Sequence, residues 1–419
     1  MPATLVQDIR QGAKARFAKR GFPTAKDESY RFTSLGTLAQ TEFKDAPQAV
    51  VTAEQIARFR LLPDVPCAVT VNGRYDAMHS ATKMPKGVTV MSLALAAEQH
   101  PDLVQPHLDK LTGAADSPFA ALAGASLNDG LFVHVTKDVV VAHAIELIHL
   151  TAPGDWPIAN YPRTLVVMDL GAQCSLVETF AGTSDAPYWC NPVSEFVLAD
   201  NARLETHRIQ REGAAAFHTG SMHSTQGRTS HHQMVSFVFG GLTTRIDATA
   251  VLNGEGAECT LNGLILAQGK QHVDHQTTLD HAKPHCNSWE YFNGIYDEQA
   301  RGVFTGRIIV RPGAQKTDSK QTSNNLLLSD QARADSQPQL EIYADDVRCT
   351  HGATLGPIDE RHLFYLQTRG LSRIAARNLL TWGFGAEILN YVADDGLRAA
   401  LDAIVHERLD QGARRRGEL

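Results

Sequence analysis

The chain has 419 residues, of which 43% are hydrophobic and 20% charged, with a net charge of −7. These values give a globular protein with material for a large core and more than one domain, and they exclude bulk disorder. The acidic balance argues against nucleic acid as a partner, because phosphate binding needs a concentrated basic surface. The one tight basic run, Arg414-Arg415-Arg416, reads as a solvated tail.

Residues 1–125 read as a mainly helical domain. Leu5, Ile9, Ala13 and Phe17 recur every fourth residue, and Gly21 follows as a C-cap. The segment Met1 to Arg20 carries charges throughout and lacks the apolar stretch of a signal peptide. Thr52 and Gln55 fit a capping box ahead of Ile56 and Phe59. Ala68 to Val71 reads as a short strand that turns at Asn72-Gly73.

Residues 126–350 change texture. Short apolar runs alternate with Gly, Asn and Asp: Leu131–Val135, Val139–Ala142, Thr164–Met168, Val235–Phe239 and Gly306–Val310. They are rich in β-branched and aromatic residues and too short for helices. A weak repeat runs through them. Gly171-Ala172-Gln173-Cys174, Asn201-Ala202-Arg203-Leu204 and Gly256-Ala257-Glu258-Cys259 share a turn residue, an alanine and an alternating apolar position. Their separation, in multiples of roughly 28 residues, falls in the range of solenoid repeats. Two folds accommodate the pattern, a parallel β-helix with Ala172, Ala202 and Ala257 inward, and a β-sandwich.

From residue 351 to 419 the pattern returns to helix. Leu371, Ala375, Leu379 and Trp382 form a stripe predicted to face inward, with Arg373 and Arg377 on the opposite, outward face. Gly370 ends the helix before it, and Ser372 is its N-cap. A last helix carries Leu397, Leu401, Ile404 and Leu409 and is predicted to end before Gly412.

The chemistry-bearing residues are few. Cys67, Cys174, Cys190, Cys259, Cys286 and Cys349 stand singly, which excludes zinc-ribbon spacing and argues against a disulfide framework. Gly263 to Lys270 has its glycines wrongly spaced for a phosphate loop, and Gln271 stands where Ser or Thr would hold Mg²⁺. The densest group of metal-ligand types is His272, Asp274, His275, His281, His285 and Cys286. Strand alternation puts His272 and Asp274 on one face and His275 on the other, so a structural role competes with a metal-dependent hydrolase or lyase built on His272, Asp274, His281 and His285. Cys349 and His351 lie two apart after the alternating run Leu340 to Ala344 and can present thiol and imidazole together at the end of a β element. Both groups ligate iron–sulfur clusters, although a buried structural pair accounts for them equally well. No stretch is long and apolar enough to span a bilayer, so the protein is expected to be soluble and cytoplasmic.

One family accounts for these features together. The run Leu340-Glu341-Ile342, Asp345-Asp346-Val347, Cys349-Thr350-His351-Gly352-Ala353-Thr354, Leu363-Phe364-Tyr365-Leu366 and Thr368-Arg369-Gly370-Leu371 resembles the signature of the SufB/SufD family of iron–sulfur cluster assembly proteins. Upstream, His272-x-Asp274, His281-x-x-Pro284, Gly306-Arg307-Ile308-Ile309-Val310, Gln315-Lys316-Thr317-Asp318 and the N-terminal segment Pro23 to Phe32 resemble it too, with Tyr30 where Trp is usual. The SufD branch is the nearer. Gly352 stands where SufB has Glu, and Ser329 to Gln339 lacks the cysteine that SufB carries there.

The resemblance implies a right-handed parallel β-helix flanked by N- and C-terminal helical domains. It implies a non-catalytic scaffold subunit that pairs with SufB through the β-helix and binds the ATPase SufC through its C-terminal helices. A transient iron–sulfur cluster would form at the SufB interface, with none tightly bound by the isolated subunit. His351 matches the histidine implicated there, and Cys349 the neighbouring cysteine. Arg369, Gly370, Arg373 and Arg377 fall in the expected ATPase-binding region. Alone, the chain is expected to form a homodimer that covers its free strand edges.

Overall fold

The computed structural model describes residues 3–114 and 117–416. Its core is a parallel β-solenoid of about 8 turns. Two walls enclose it, a 12-stranded and a 10-stranded sheet, and from Val193–Leu198 onward successive strands of the chain alternate between them. Asn287–Tyr296 pairs in parallel with Asp318–Leu327, and that strand pairs with Arg348–Pro357, residue for residue. On the other wall His272–His281 pairs with Arg301–Val310, and that strand with Arg333–Ile342. This parallel, in-register pairing replaces the β-sandwich alternative.

The strands coil because every second residue is small or apolar and turns inward. Ile246, Ala248, Ala250 and Leu252 line one wall, and Cys259, Leu261, Ile265 and Ala267 the other, in one continuous core. The repeat seen in the sequence marks one corner of the coil. Positions 171, 201, 229, 256, 285 and 316 all have positive φ, between 51° and 70°. Each also donates its backbone N–H to a carbonyl in the next coil, for example Gly171 to Asp200 (3.0 Å) and Asn201 to Arg228 (2.8 Å). Gly and Asn tolerate that backbone, which is why they recur there. Ala172, Ala202 and Ala257 follow the corner and are fully buried in the core, as predicted.

The N-terminal region is only partly helical. Its first helix, Ala3–Arg20, ends at Gly21, whose N–H bonds to the Phe17 carbonyl at 2.7 Å. The capping box of Thr52 and Gln55 is present. The strands Cys67–Val71 and Val88–Ser92 belong to the two solenoid walls, so the coil begins before residue 126. Val139–Ala142 is not a strand; a single bridge joins Val140 to Gln173.

Three C-terminal helices, Glu360–Thr368, Arg373–Leu389 and Asp395–Arg415, follow the last strand, which runs on to Pro357. Ile388, Leu389, Val392, Leu397, Leu401, Ile404, Val405 and Leu409 pack on the outer face of the 10-stranded wall, against Val177, Ile209, Phe237, Leu264 and Ile295. The predicted stripe of the middle helix is out of phase. Its buried residues are Ala376, Thr381, Gly385, Ile388 and Leu389, while Leu379 is 44% exposed. Small residues face inward because the helix lies close to the sheet: a Cβ on Gly385 would sit 3.5 Å from Ile295 Cδ1. The last helix does not stop at Gly412, and the basic run is no free tail. Arg416 is ion-paired with Asp297, and Arg415 lies 3.5 Å from Glu298.

Candidate functional site

The two ends of the solenoid differ. At its start an antiparallel strand closes each wall, Arg74–Tyr75 on Cys67–Val71 and Val88–Ser92 on Leu131–Val135. At its finish, Arg333–Ile342 and Arg348–Pro357 are the edge strands of the two walls. Their outer edges are unpaired among the described residues. Ile342, Tyr343 and Leu355 are 40%, 61% and 57% exposed there.

Cys349 and His351 sit in the first half of the last strand, not at its end as the sequence suggested. They share the inner face, as their spacing predicts. The Cys349 side chain packs on the end of the core and is half-buried, whereas His351 is exposed. Burial pushes the Cys349 thiol above its ordinary value, and the nearby Asp318 carboxylate acts in the same direction. The core turns polar beneath them. Ser319, Gln321, Ser323 and Asn325 line the preceding rung and are all buried. Ser323 and Asn325 each reach Ser336 on the opposite wall at 3.1 Å. Thiol and imidazole are both groups that can ligate iron, and here they stand on one open rung.

The histidine group upstream does not converge. Thr33 Oγ1 donates to Asp274 Oδ2 at 2.6 Å and lies 2.9 Å from His272 Nε2. Arg245 pairs with the same carboxylate at 2.6 Å and stacks over the Tyr30 ring at 3.8 Å. His272 and Asp274 therefore clasp the N-terminal segment to the outside of the solenoid, and burial pushes the His272 imidazole below its ordinary value. His281 points the other way, into the core, where its Nε2 meets Ser288 Oγ at 2.9 Å and burial pushes it down to about 4. His275 is likewise inward, 3.1 Å from Ser236 Oγ. His285 is the exposed left-handed corner residue of its coil. The arrangement that a hydrolase on these residues requires is absent.

Among the described residues, the group of three potential metal ligands within mutual reach is Cys190, Glu212 and His218, all buried. His218 Nδ1 lies 2.7 Å from Glu212, and its Nε2 faces the Arg208 guanidinium at 3.2 Å. A fixed positive charge against the free imidazole nitrogen opposes a cation there, so this is an internal ion-paired network.

On the C-terminal helices Arg373 is exposed and pairs with Glu360 at 2.7 Å. The Arg369 guanidinium lies 5.2 Å from the Tyr365 ring centre, and Gly370 adopts φ +91° in the turn between helices. Arg377 faces the solenoid instead of solvent, donating to the Leu328 carbonyl at 2.6 Å. Phe364 and Tyr365, 68% and 56% exposed, were not singled out from sequence beyond their place in the signature run. Leu379, on the next helix, is exposed as well.

The chain forms an open-ended parallel β-solenoid with one wall sheathed by C-terminal helices, and sequence comparison gives its family. Residues 2–147 match the SufBD protein N-terminal region, and residues 150–384 match the SufBD core domain of the SUF system for FeS cluster assembly. The chain belongs to the SufBD family. It is 30% identical to the iron–sulfur cluster assembly protein SufD of Escherichia coli, over 94% of this chain and 91% of that one. An iron–sulfur cluster assembly SufBD family protein of Synechocystis is also 30% identical, over 95% and 90% of the two chains. SufD of Bacillus subtilis is 26% identical over 77% and 74%. This chain is thus a SufD homologue. No helix among the described residues is long and apolar enough to cross a membrane.

Proposed function

We propose that the protein is the SufD-type, non-catalytic subunit of a cytoplasmic SufBCD complex, and that a nascent iron–sulfur cluster forms where its last coil meets SufB. The carrying observation is the open last rung, which presents His351 exposed and Cys349 half-buried on one face. His351 supplies an imidazole lone pair to iron, Cys349 a neighbouring thiol, and SufB the remaining ligands. The cluster is cargo and is handed on. In the absence of SufB, the edges at Arg333–Ile342 and Arg348–Pro357 pair with those of a second copy. ATP hydrolysis belongs to SufC, which docks on the C-terminal helices through Arg369, Gly370 and Arg373, joined by Phe364 and Tyr365. Arg377 has its own partner on the solenoid and is left out of that surface.

Reconstitution of His351→Ala with SufB and SufC tests this reading. An intact complex with reduced iron and sulfide supports it. Full cluster loading removes His351 from the site, and failure to fold or assemble makes it structural. Removing all residues after Gly352 is not an informative test of SufC binding, because it strips the cover from Phe237, Leu264 and Ile295. Alanine at Phe364 and Tyr365 leaves that layer intact and should abolish SufC capture; undiminished capture would move the docking surface elsewhere.

A further inference from the structure

Glu290, Gln321 and His351 occupy one register position on three successive rungs of the 10-stranded wall. Neighbouring rungs are about 4.8 Å apart, so side chains at one position stack on each other. Glu290 and Gln321 are buried on the inner face, and His351 lies above them at the open end. The Gln321 Nε2 donates to Glu290 Oε2. An amide is planar, so this bond turns the Gln321 carbonyl away from Glu290. That oxygen, Oε1, is buried and has no hydrogen-bond partner among the described residues. The opposite wall leaves room for the amide: a Cβ at Gly306 would lie 2.0 Å from Gln321 Nε2. A buried acceptor without a partner, one rung below an exposed imidazole, is an arrangement with a use.

We propose that Gln321 is the positioning residue for His351: its Oε1 accepts the N–H of one imidazole nitrogen, which leaves the lone pair of the other free for iron, while Glu290 holds the amide in that orientation. Histidines that bind metals commonly donate their second ring nitrogen to such an acceptor, which fixes both tautomer and ring direction. Glu290 serves as anchor whether ionised or neutral, since a carboxyl oxygen accepts in both forms. Burial pushes its carboxyl up to about 7, so both forms are present near neutrality. The inference rests on the reading of His351 as a cluster ligand.

The tautomer of His351 can be read on the full-length chain by ¹⁵N–¹H correlation with labelled histidine, its signal assigned by its loss in His351→Ala. A single tautomer is expected in the unmodified protein. Gln321→Met, similar in length but without the acceptor, should give a mixture of tautomers. In the complex reconstituted with SufB and SufC it should hold about tenfold less cluster, in line with the effect of losing an outer-shell partner. Glu290→Gln keeps an acceptor for the amide and should stay within about twofold of the unmodified protein on the same scale. If Gln321→Met does not fold, Gln321→Asn carries the test, because its shorter amide keeps the polarity but withdraws the carbonyl. An unchanged tautomer with full cluster content in the Gln321 variant would overturn the proposal. Unchanged cluster content in His351→Ala would instead defeat the ligand reading, and the tautomer measurement would still judge the positioning on its own.

Discussion

The first and last coils of the solenoid are built from the same repeat and end differently. The first rung of the 10-stranded wall, Cys67–Val71, is buried along its whole length, and an antiparallel hairpin strand pairs with it. The last rung, Arg348–Pro357, is exposed at eight of ten positions. The interior changes with the ends. Near the start it is filled by residues such as Leu131, Val133, Ile145 and Leu147; beneath the last rung it holds Glu290, Gln321, Ser323 and Asn325. An apolar core must be covered, because each exposed side chain forfeits its burial free energy. A polar, hydrogen-bonded one can stand open and wait for a partner. One end is therefore closed over an apolar core, and the other stands open over a polar one.

The largest expected effect lies at the closed end. Leu147→Ala should cost about 2–5 kcal/mol in denaturant unfolding, the usual range for a buried leucine, whereas Leu355→Ala at the open end should stay within about 0.5 kcal/mol. Equal costs would erase the distinction. Acid should come next. His207, His223, His275 and His281 are pushed down to about 4 by burial. Their folded-state values lie below the unfolded value of about 6.5, so the unfolded chain takes up protons first as pH falls. Stability should drop steadily between pH 6.5 and 4. Glu290 works in the opposite sense: its folded value of about 7 exceeds the unfolded 4.5, so its contribution is present at low pH and fades as pH rises through 7. Because the two contributions oppose each other where they overlap, Glu290→Gln should steepen the fall between pH 6.5 and 4.5; an unchanged curve would show that Glu290 ionises freely in the fold.

Association gives a smaller effect. The isolated protein should scatter light as a dimer at micromolar concentration, and Ile342→Asp with Leu355→Asp should make it monomeric with an unchanged melting temperature. A monomer before mutation would break the link between open edges and self-association. The stability change in His351→Ala should be as small as that in Leu355→Ala, within about 0.5 kcal/mol, because both side chains are exposed.

The solenoid was legible because its corner demands a special backbone. Gly171, Asn201 and Gly256 betray the positive φ of one corner, and the alanine after each marks the inward turn. Thr229, His285 and Lys316 fill the same corner without a turn-type residue, so the repeat looked intermittent. The phase of the Arg373–Leu389 helix was misread because hydrophobic size is a poor guide where a helix lies close on a sheet; Ala376, Thr381 and Gly385 face inward and Leu379 does not. The partner of His272 and Asp274 is Thr33, more than 200 residues away, beyond any local pattern. The ladder beneath His351 was missed for a simpler reason. Positions 290, 321 and 351 become related only once the coil length at that point is known, and Gln321 attracts no notice by type.

The central claim is that the open end is the working surface. Hydrogen–deuterium exchange of the full-length chain, free and in complex with SufB, tests it directly. Bound SufB should slow exchange in residues 333–357, around Cys349 and His351, and leave 67–92 at the closed end unchanged. Protection confined to the closed end, or to the C-terminal helices, would contradict it.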